Sequence, residues 1–129
     1  MSNRYLLDTN AAIAVLKNAS ALNAAFGPDD TFYLSLVTVG ELSFGAYHSA
    51  RIGQNLGRLG QFLHGVVVLP FDRETADEYG HVCAELRRKG RPIPANDIWI
   101  AAQARRFALP LVTRDGHFEA VEGLLCLSW

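Results

Sequence analysis

Short apolar runs separated by stretches of helical spacing constrain this chain more than any other feature. Val66-Val67-Val68-Leu69 is the clearest run, continuous and largely β-branched. It lacks the polar alternation of a half-exposed strand, so it suits a strand covered on both faces. Tyr5-Leu6-Leu7, Thr31 to Leu34, Leu109 to Thr113 and Leu124 to Leu127 read as four further strands. Residues 11–17, 20–26, 37–49, 52–63, 73–89 and 97–107 read as helices between them. In the fourth of these, Ile52, Leu56, Leu59 and Leu63 recur at helical spacing. Strands alternating with helices are joined by crossovers. That predicts an α/β fold, with a central five-stranded, mostly parallel sheet flanked by helices.

The chain has 129 residues, which suits one domain over 1–129. Half of the residues are hydrophobic, enough to build a core and to exclude general disorder. The two cysteines, Cys83 and Cys126, lie in apolar stretches and form no C-x-x-C pair. A reduced, cytoplasmic protein is expected, with neither a disulfide framework nor a zinc site. Only two leucines precede Asp8 after the first polar residues, too short a run for a signal peptide. No apolar run approaches the ~20 residues of a membrane span. The net charge of −1 argues, at face value, against a polyanionic partner.

Ligands of open parallel sheets bind beyond the carboxyl ends of the strands, where the strand order reverses. Four acids stand at such ends. Asp8 follows the first strand, Glu41 lies in the helix after the second, Asp97 begins a helix, and Asp115 follows the fourth strand. Each has a purely structural explanation. Asp8 suits an N-cap. Thr38 and Glu41 have the spacing of a capping box. Asn96 suits a cap, with Asp97 favouring the helix dipole, and Asp115 before Gly116 suits a turn. Together they mean more. Four carboxylates at one sheet edge repel one another and are costly to desolvate, unless cations sit among them. Oxygen ligands without Cys or an obvious His suit Mg²⁺ or Mn²⁺.

These residues carry a resemblance. Leu6-Leu7-Asp8-Thr9-Asn10, Val37-Thr38-Val39-Gly40-Glu41-Leu42, Pro94-Ala95-Asn96-Asp97-Ile98-Trp99-Ile100-Ala101-Ala102 and Leu111-Val112-Thr113-Arg114-Asp115 occur in order over almost the whole chain. In this the chain resembles the PIN-domain ribonucleases, in particular the VapC-type toxins of bacterial toxin–antitoxin modules. The resemblance implies a metal-dependent endoribonuclease that hydrolyses RNA with water activated by Mg²⁺ or Mn²⁺, leaving a 5′ phosphate and a 3′ hydroxyl. It assigns Asp8, Glu41, Asp97 and Asp115 to the acidic quartet, with Asp8 and Asp97 the most direct metal ligands, and Thr113 to an accompanying hydroxyl. Asn10 and Asn96 flank the acids, and Glu119 is a further acid after the last motif. A homodimer and an antitoxin partner, with no membrane role, are implied as well.

Three rival readings use the same fold edge. A phosphoacceptor receiver domain would need a lysine after its fifth strand, but the chain's lysines are Lys17 and Lys89. A haloacid-dehalogenase-type phosphatase would want Asp where Asn10 stands. A non-catalytic interaction domain would be expected to have lost one or more acids, and all four are present. Arg87, Arg88, Lys89 and Arg91 form the one dense basic run. They are either a solvated helix end or an RNA-phosphate contact. His48, His64, His81 and His117 share no ligand spacing; His117 alone lies near the acids, and it reads as a surface-loop residue. Trp99, Phe107 and Trp129 suit the core or an interface. Phe44 and Tyr47 belong to more apolar surface than a small monomer easily hides.

The clustered acids also change the meaning of the net charge. Without them twelve basic residues face nine acidic ones, or +3. One bound divalent cation turns the whole chain from −1 to +1.

Overall fold

The structure, a computed structural model, describes residues 3–17 and 24–129. The elements run β1 (Arg4–Leu7), α1 (Thr9–Leu16), β2 (Thr31–Ser35), α2 (Leu36–Tyr47), α3 (Ile52–His64), β3 (Val67–Leu69), α4 (Arg73–Lys89), α5 (Ala95–Arg106), β4 (Leu111–Val112), a 3-10 turn (Gly116–Ala120) and β5 (Cys126–Leu127). The expected helix over 20–26 falls largely outside the described residues.

The five strands pair in the order β3-β2-β1-β4-β5, and every pairing is parallel. The expected sheet is therefore present, and it is wholly rather than mostly parallel. β3, β4 and β5 are shorter than their apolar runs, whereas β1 and β2 each extend one residue beyond theirs. Val66 precedes β3, and β4 keeps only Leu111 and Val112 of the expected 109–113. From β1 the chain moves outward through β2 and β3, then returns to place β4 on the other side of β1. The strand order thus reverses between β1 and β4, and a ligand crevice belongs at their carboxyl ends.

Alternate side chains of a strand face opposite sides of its sheet, and the core divides accordingly. Leu6 and Leu111 join Val82, Leu86, Ile98 and Ile100 from α4 and α5. Leu7 and Val112 join Ala11, Leu42 and Leu59 from α1, α2 and α3. Both leucines of β1 are fully buried. Truncating either to Ala would cost about 2–5 kcal/mol.

The helix ends explain most differences from the sequence expectation. α1 begins at Thr9 because Asp8 accepts a hydrogen bond from the Ala11 amide, 2.7 Å. α2 begins at Leu36 because Ser35 caps it through the Val37 amide. Thr38 is therefore inside the helix, and Thr38 with Glu41 does not form a capping box. α5 begins at Ala95 after Pro94, with no side-chain cap, so Asn96 does not cap it. α4 is capped by Asp72 on the Thr75 amide and ends at Gly90. Gly90 has φ 64°, a left-handed conformation that suits glycine. No helix among the described residues is long and apolar enough to cross a membrane.

Candidate active site

Register delivers the first two site residues. Leu7 pairs with Val112, so the next residues, Asp8 and Thr113, emerge side by side at the reversal point. The Asp8 amide donates to the Val112 carbonyl at 3.1 Å. Thr113 Oγ1 donates to Asp8 Oδ2 at 2.5 Å. With Oδ1 accepting from Ala11, both oxygens of Asp8 are fixed. Asp8 is only 3% exposed. Burial pushes its carboxyl above the ordinary value, and the charges of Asp97 and Asp115 add to the rise against the lowering by its hydrogen bonds.

Asp115 caps the 3-10 turn, its Oδ1 accepting from the His117 amide at 2.9 Å. Its own amide donates to Thr113 Oγ1 at 2.9 Å. Asp97 comes from the first turn of α5. Its carboxyl is also pushed up, first by burial, with Asp115 raising it further and His117 opposing. Asp8, Asp97 and Asp115 are thus brought within electrostatic reach of one another.

Glu41 is held differently. Thr9 Oγ1 donates to Glu41 Oε1 at 2.9 Å and lies 3.1 Å from Thr38 Oγ1. The residue after Asp8 therefore ties Glu41 on α2 to the start of α1. Thr9 and Thr38 were not visible as site residues in the sequence. The hydroxyl directly after Asp8 is the signal that would have suggested Thr9.

His117 lies in the 3-10 turn, at the surface and near the acids as expected. It is exposed, yet its Nδ1 lies 3.4 Å from Asp97 Oδ2 and 3.2 Å from Asp115 Oδ1. One ligand atom from each of Asp97, Asp115 and His117 falls within 4.8 Å of the others, a group able to hold a metal ion. Asn10 and Asn96 are exposed. Among the described residues, Glu119 makes no hydrogen bond to the cluster.

The residues of the basic run differ in their contacts. Lys89 Nζ donates to the Ala120 carbonyl at 3.0 Å and pairs with Glu122 at 3.1 Å, so it joins α4 to the segment after the 3-10 turn. Arg87, Arg88 and Arg91 are exposed. Trp99 stacks on Tyr79 beside the exposed Phe71, a half-buried aromatic group. Phe44 and Tyr47 are 67% and 63% exposed on α2. A groove of about 230 Å³ lies between α1, α2 and α3, lined by Ile13, Leu16, Leu42, Ala46 and Leu59 among others.

Comparison with known proteins gives a consistent picture. The sequence profile of the PIN domain matches residues 5–124. The tRNA(fMet)-specific endonuclease VapC of Shigella flexneri is 36% identical over 129 residues, with 98% of each chain covered. Ribonuclease VapC2 of Haemophilus influenzae is 35% identical over 132 residues, again covering 98% of each. Among solved structures, VapBC2 from Rickettsia felis bound to a promoter DNA fragment superposes with a TM-score of 0.89 at 27% identity, covering 98% of each chain. DNA-bound VapBC from Salmonella typhimurium gives a TM-score of 0.86 at 31% identity, covering 100% of this chain and 99% of that one.

Proposed function

This chain belongs to the PIN-domain family and to its VapC branch, and from that premise we propose that it is a divalent-metal-dependent endoribonuclease acting as the toxin of a toxin–antitoxin pair. Residues 1–129 form its single domain, and its expected location is the cytoplasm. The observation that carries the catalytic part is the convergence of Asp8, Asp97 and Asp115, two of them with carboxyls pushed upward. Such like-charged groups persist together most easily around a cation.

The donor set fits that cation. Carboxylate oxygens suit Mg²⁺ or Mn²⁺, and Asp97 and Asp115 bring theirs within a few ångströms of each other. Asp8, Asp97 and Asp115 would hold the ion, and Glu41, tied to the start of α1 through Thr9, is the fourth ligand proposed. A bound divalent ion supplies a water of lowered pKa and offsets charge building up on the phosphoryl oxygens. The protein's own groups do the rest. Thr113 fixes Asp8 and the loop carrying Asp115 through one hydroxyl. Thr9 fixes Glu41 by Oε1, leaving Oε2 to order water. Arg87, Arg88 and Arg91 extend the site as RNA-phosphate contacts. In-line hydrolysis would leave a 5′ phosphate and a 3′ hydroxyl.

VapBC relatives pair a toxin with an antitoxin, and an antitoxin partner and a homodimer are proposed here too. The groove beside Leu42 and Leu59, and the exposed Phe44 and Tyr47 on α2, supply apolar surface for such contacts.

The test compares wild type with Asp8→Asn and Asp97→Asn on structured RNA, with Mg²⁺ or Mn²⁺ and with EDTA. Cleavage by wild type alone, abolished by chelation, is expected. Cleavage surviving chelation or either substitution overturns the metal-nuclease reading. Growth arrest on expression, relieved by Asp8→Asn, is expected of a toxin, and unaffected growth counts against it.

A further inference from the structure

Resting on the metal reading above, we propose that His117 is an additional ligand of this centre through Nδ1, and that it biases the site toward Mn²⁺ over Mg²⁺. The geometry is specific. Asp115 Oδ1 accepts from the His117 backbone amide, so the turn that places the carboxylate also places the imidazole. Phe118, the next residue, is almost fully buried and anchors that turn to the core. The ring's Nδ1 consequently faces both Asp97 and Asp115, at 3.4 and 3.2 Å. Asp97 arrives from another element, so the three groups meet by tertiary packing as well as by sequence proximity.

An imidazole nitrogen changes what such a site prefers. Mg²⁺ takes oxygen ligands and sheds water reluctantly. Imidazole is a better partner for first-row transition ions, whose affinity for nitrogen-containing sites rises from Mn²⁺ onward. A site of carboxylates alone has no such preference built in. When an ion binds, His117 presents the Nδ1 lone pair to it and carries its proton on Nε2. The alternative is that His117 merely donates a hydrogen bond to the two carboxylates and never touches the ion.

Binding measurements separate the two. Mn²⁺ and Mg²⁺ are titrated by calorimetry into wild type, His117→Gln and Asp97→Asn, each checked for folding by circular dichroism. Pulsed electron paramagnetic resonance of the Mn²⁺-loaded proteins reads directly coordinated nitrogen. Wild type is expected to show nitrogen modulation that His117→Gln lacks. His117→Gln should bind Mn²⁺ about tenfold more weakly, within the range typical of altered metal surroundings, and Mg²⁺ nearly as well as before. Absent nitrogen modulation in wild type, or equal loss for both ions, overturns the role of His117. If wild type binds neither ion, or Asp97→Asn binds as well as wild type, the metal reading itself falls and this inference with it.

Discussion

Thr113 Oγ1 donates to Asp8 Oδ2 at 2.5 Å across 105 residues of sequence, and the same oxygen accepts the Asp115 amide. One hydroxyl therefore sets the position of two carboxylates on neighbouring strand ends. Thr113→Val keeps the shape of this buried side chain and removes both bonds. A hydrogen bond to a charged group is worth about 1.5–3 kcal/mol, so cleavage should fall about 10–100-fold. Thr113→Ser should recover most of it. Single-turnover cleavage at saturating divalent ion is the measurement, and an unchanged rate for the valine variant would show that Asp8 needs no such support.

The raised carboxyls make a prediction about stability. Asp8 and Asp97 are both pushed above their ordinary 3.8, first by burial. The folded protein then holds protons that the unfolded chain has already released. Metal-free stability should therefore fall as pH rises from about 3.8 through the raised values, and stay low at neutral pH. Asp8→Asn removes that charge while keeping an oxygen to cap α1. It should raise metal-free stability at pH 7 by about 0.5–2 kcal/mol, as relief of a strained functional site commonly does. Thermal unfolding in chelator at pH 4 and pH 7 checks this, and a lower midpoint for Asp8→Asn at pH 7 would contradict it.

Much of this site was legible because parallel-sheet topology is local in its cues. The apolar runs at Leu6-Leu7 and Leu111-Val112 point to strands, and acids directly after them fall at the reversal point once β1 and β4 are neighbours. Asp8 shows that a cap and a candidate site residue are not alternatives, since it caps α1 and lies within electrostatic reach of Asp97 and Asp115 at once. Other assignments depended on facts no spacing carries. Thr38 looked like a cap because the helix start was placed too late, whereas Ser35 had already capped α2. The contact of His117 with Asp97 was not legible because the two lie 20 residues apart and meet only when α5 packs near the 3-10 turn. The bonds of Lys89 left no local signal, because Ala120 and Glu122 are more than one helix away in sequence.

A separate network holds the far end of α5. Arg105 donates to Glu78 Oε1 at 2.6 Å and to Glu85 Oε2 at 2.8 Å, and Glu85 is only 8% exposed. The Arg105 hydrogen bond holds the Glu85 carboxyl below its ordinary 4.5. Arg105→Met leaves the buried Glu85 without its guanidinium partner and with only the His81 ring, 3.4 Å away, beside it, which should cost about 3 kcal/mol. Urea unfolding at pH 7 measures it. A depressed carboxyl contributes stability above its unfolded pKa and loses it as pH falls through the folded one. The gap between wild type and variant should therefore narrow below about pH 4.5. Asp97 and Arg105 lie eight residues apart on one helix, or about 12 Å, so cleavage per folded molecule should change little. A large loss of activity in correctly folded Arg105→Met would show that the network reaches the acids.

The basic residues near Asp97 should divide by function. Arg87, Arg88 and Arg91 are exposed, whereas Lys89 is bonded to Ala120 and paired with Glu122. Anisotropy titrations of RNA onto Asp97→Asn protein, expected not to cleave, measure phosphate neutralisation through its salt dependence. Changing the three arginines together to Gln should weaken binding and flatten the log–log salt slope by about one for each phosphate no longer neutralised. Lys89→Gln should leave that slope in place and cost under about 1 kcal/mol of stability, since its ion pair is at the surface. If Lys89→Gln flattens the slope as much as an arginine substitution does, its ammonium reaches phosphate despite Glu122. If the arginine triple variant leaves it unchanged, the helix end is only solvated and RNA must cross the acids by another path.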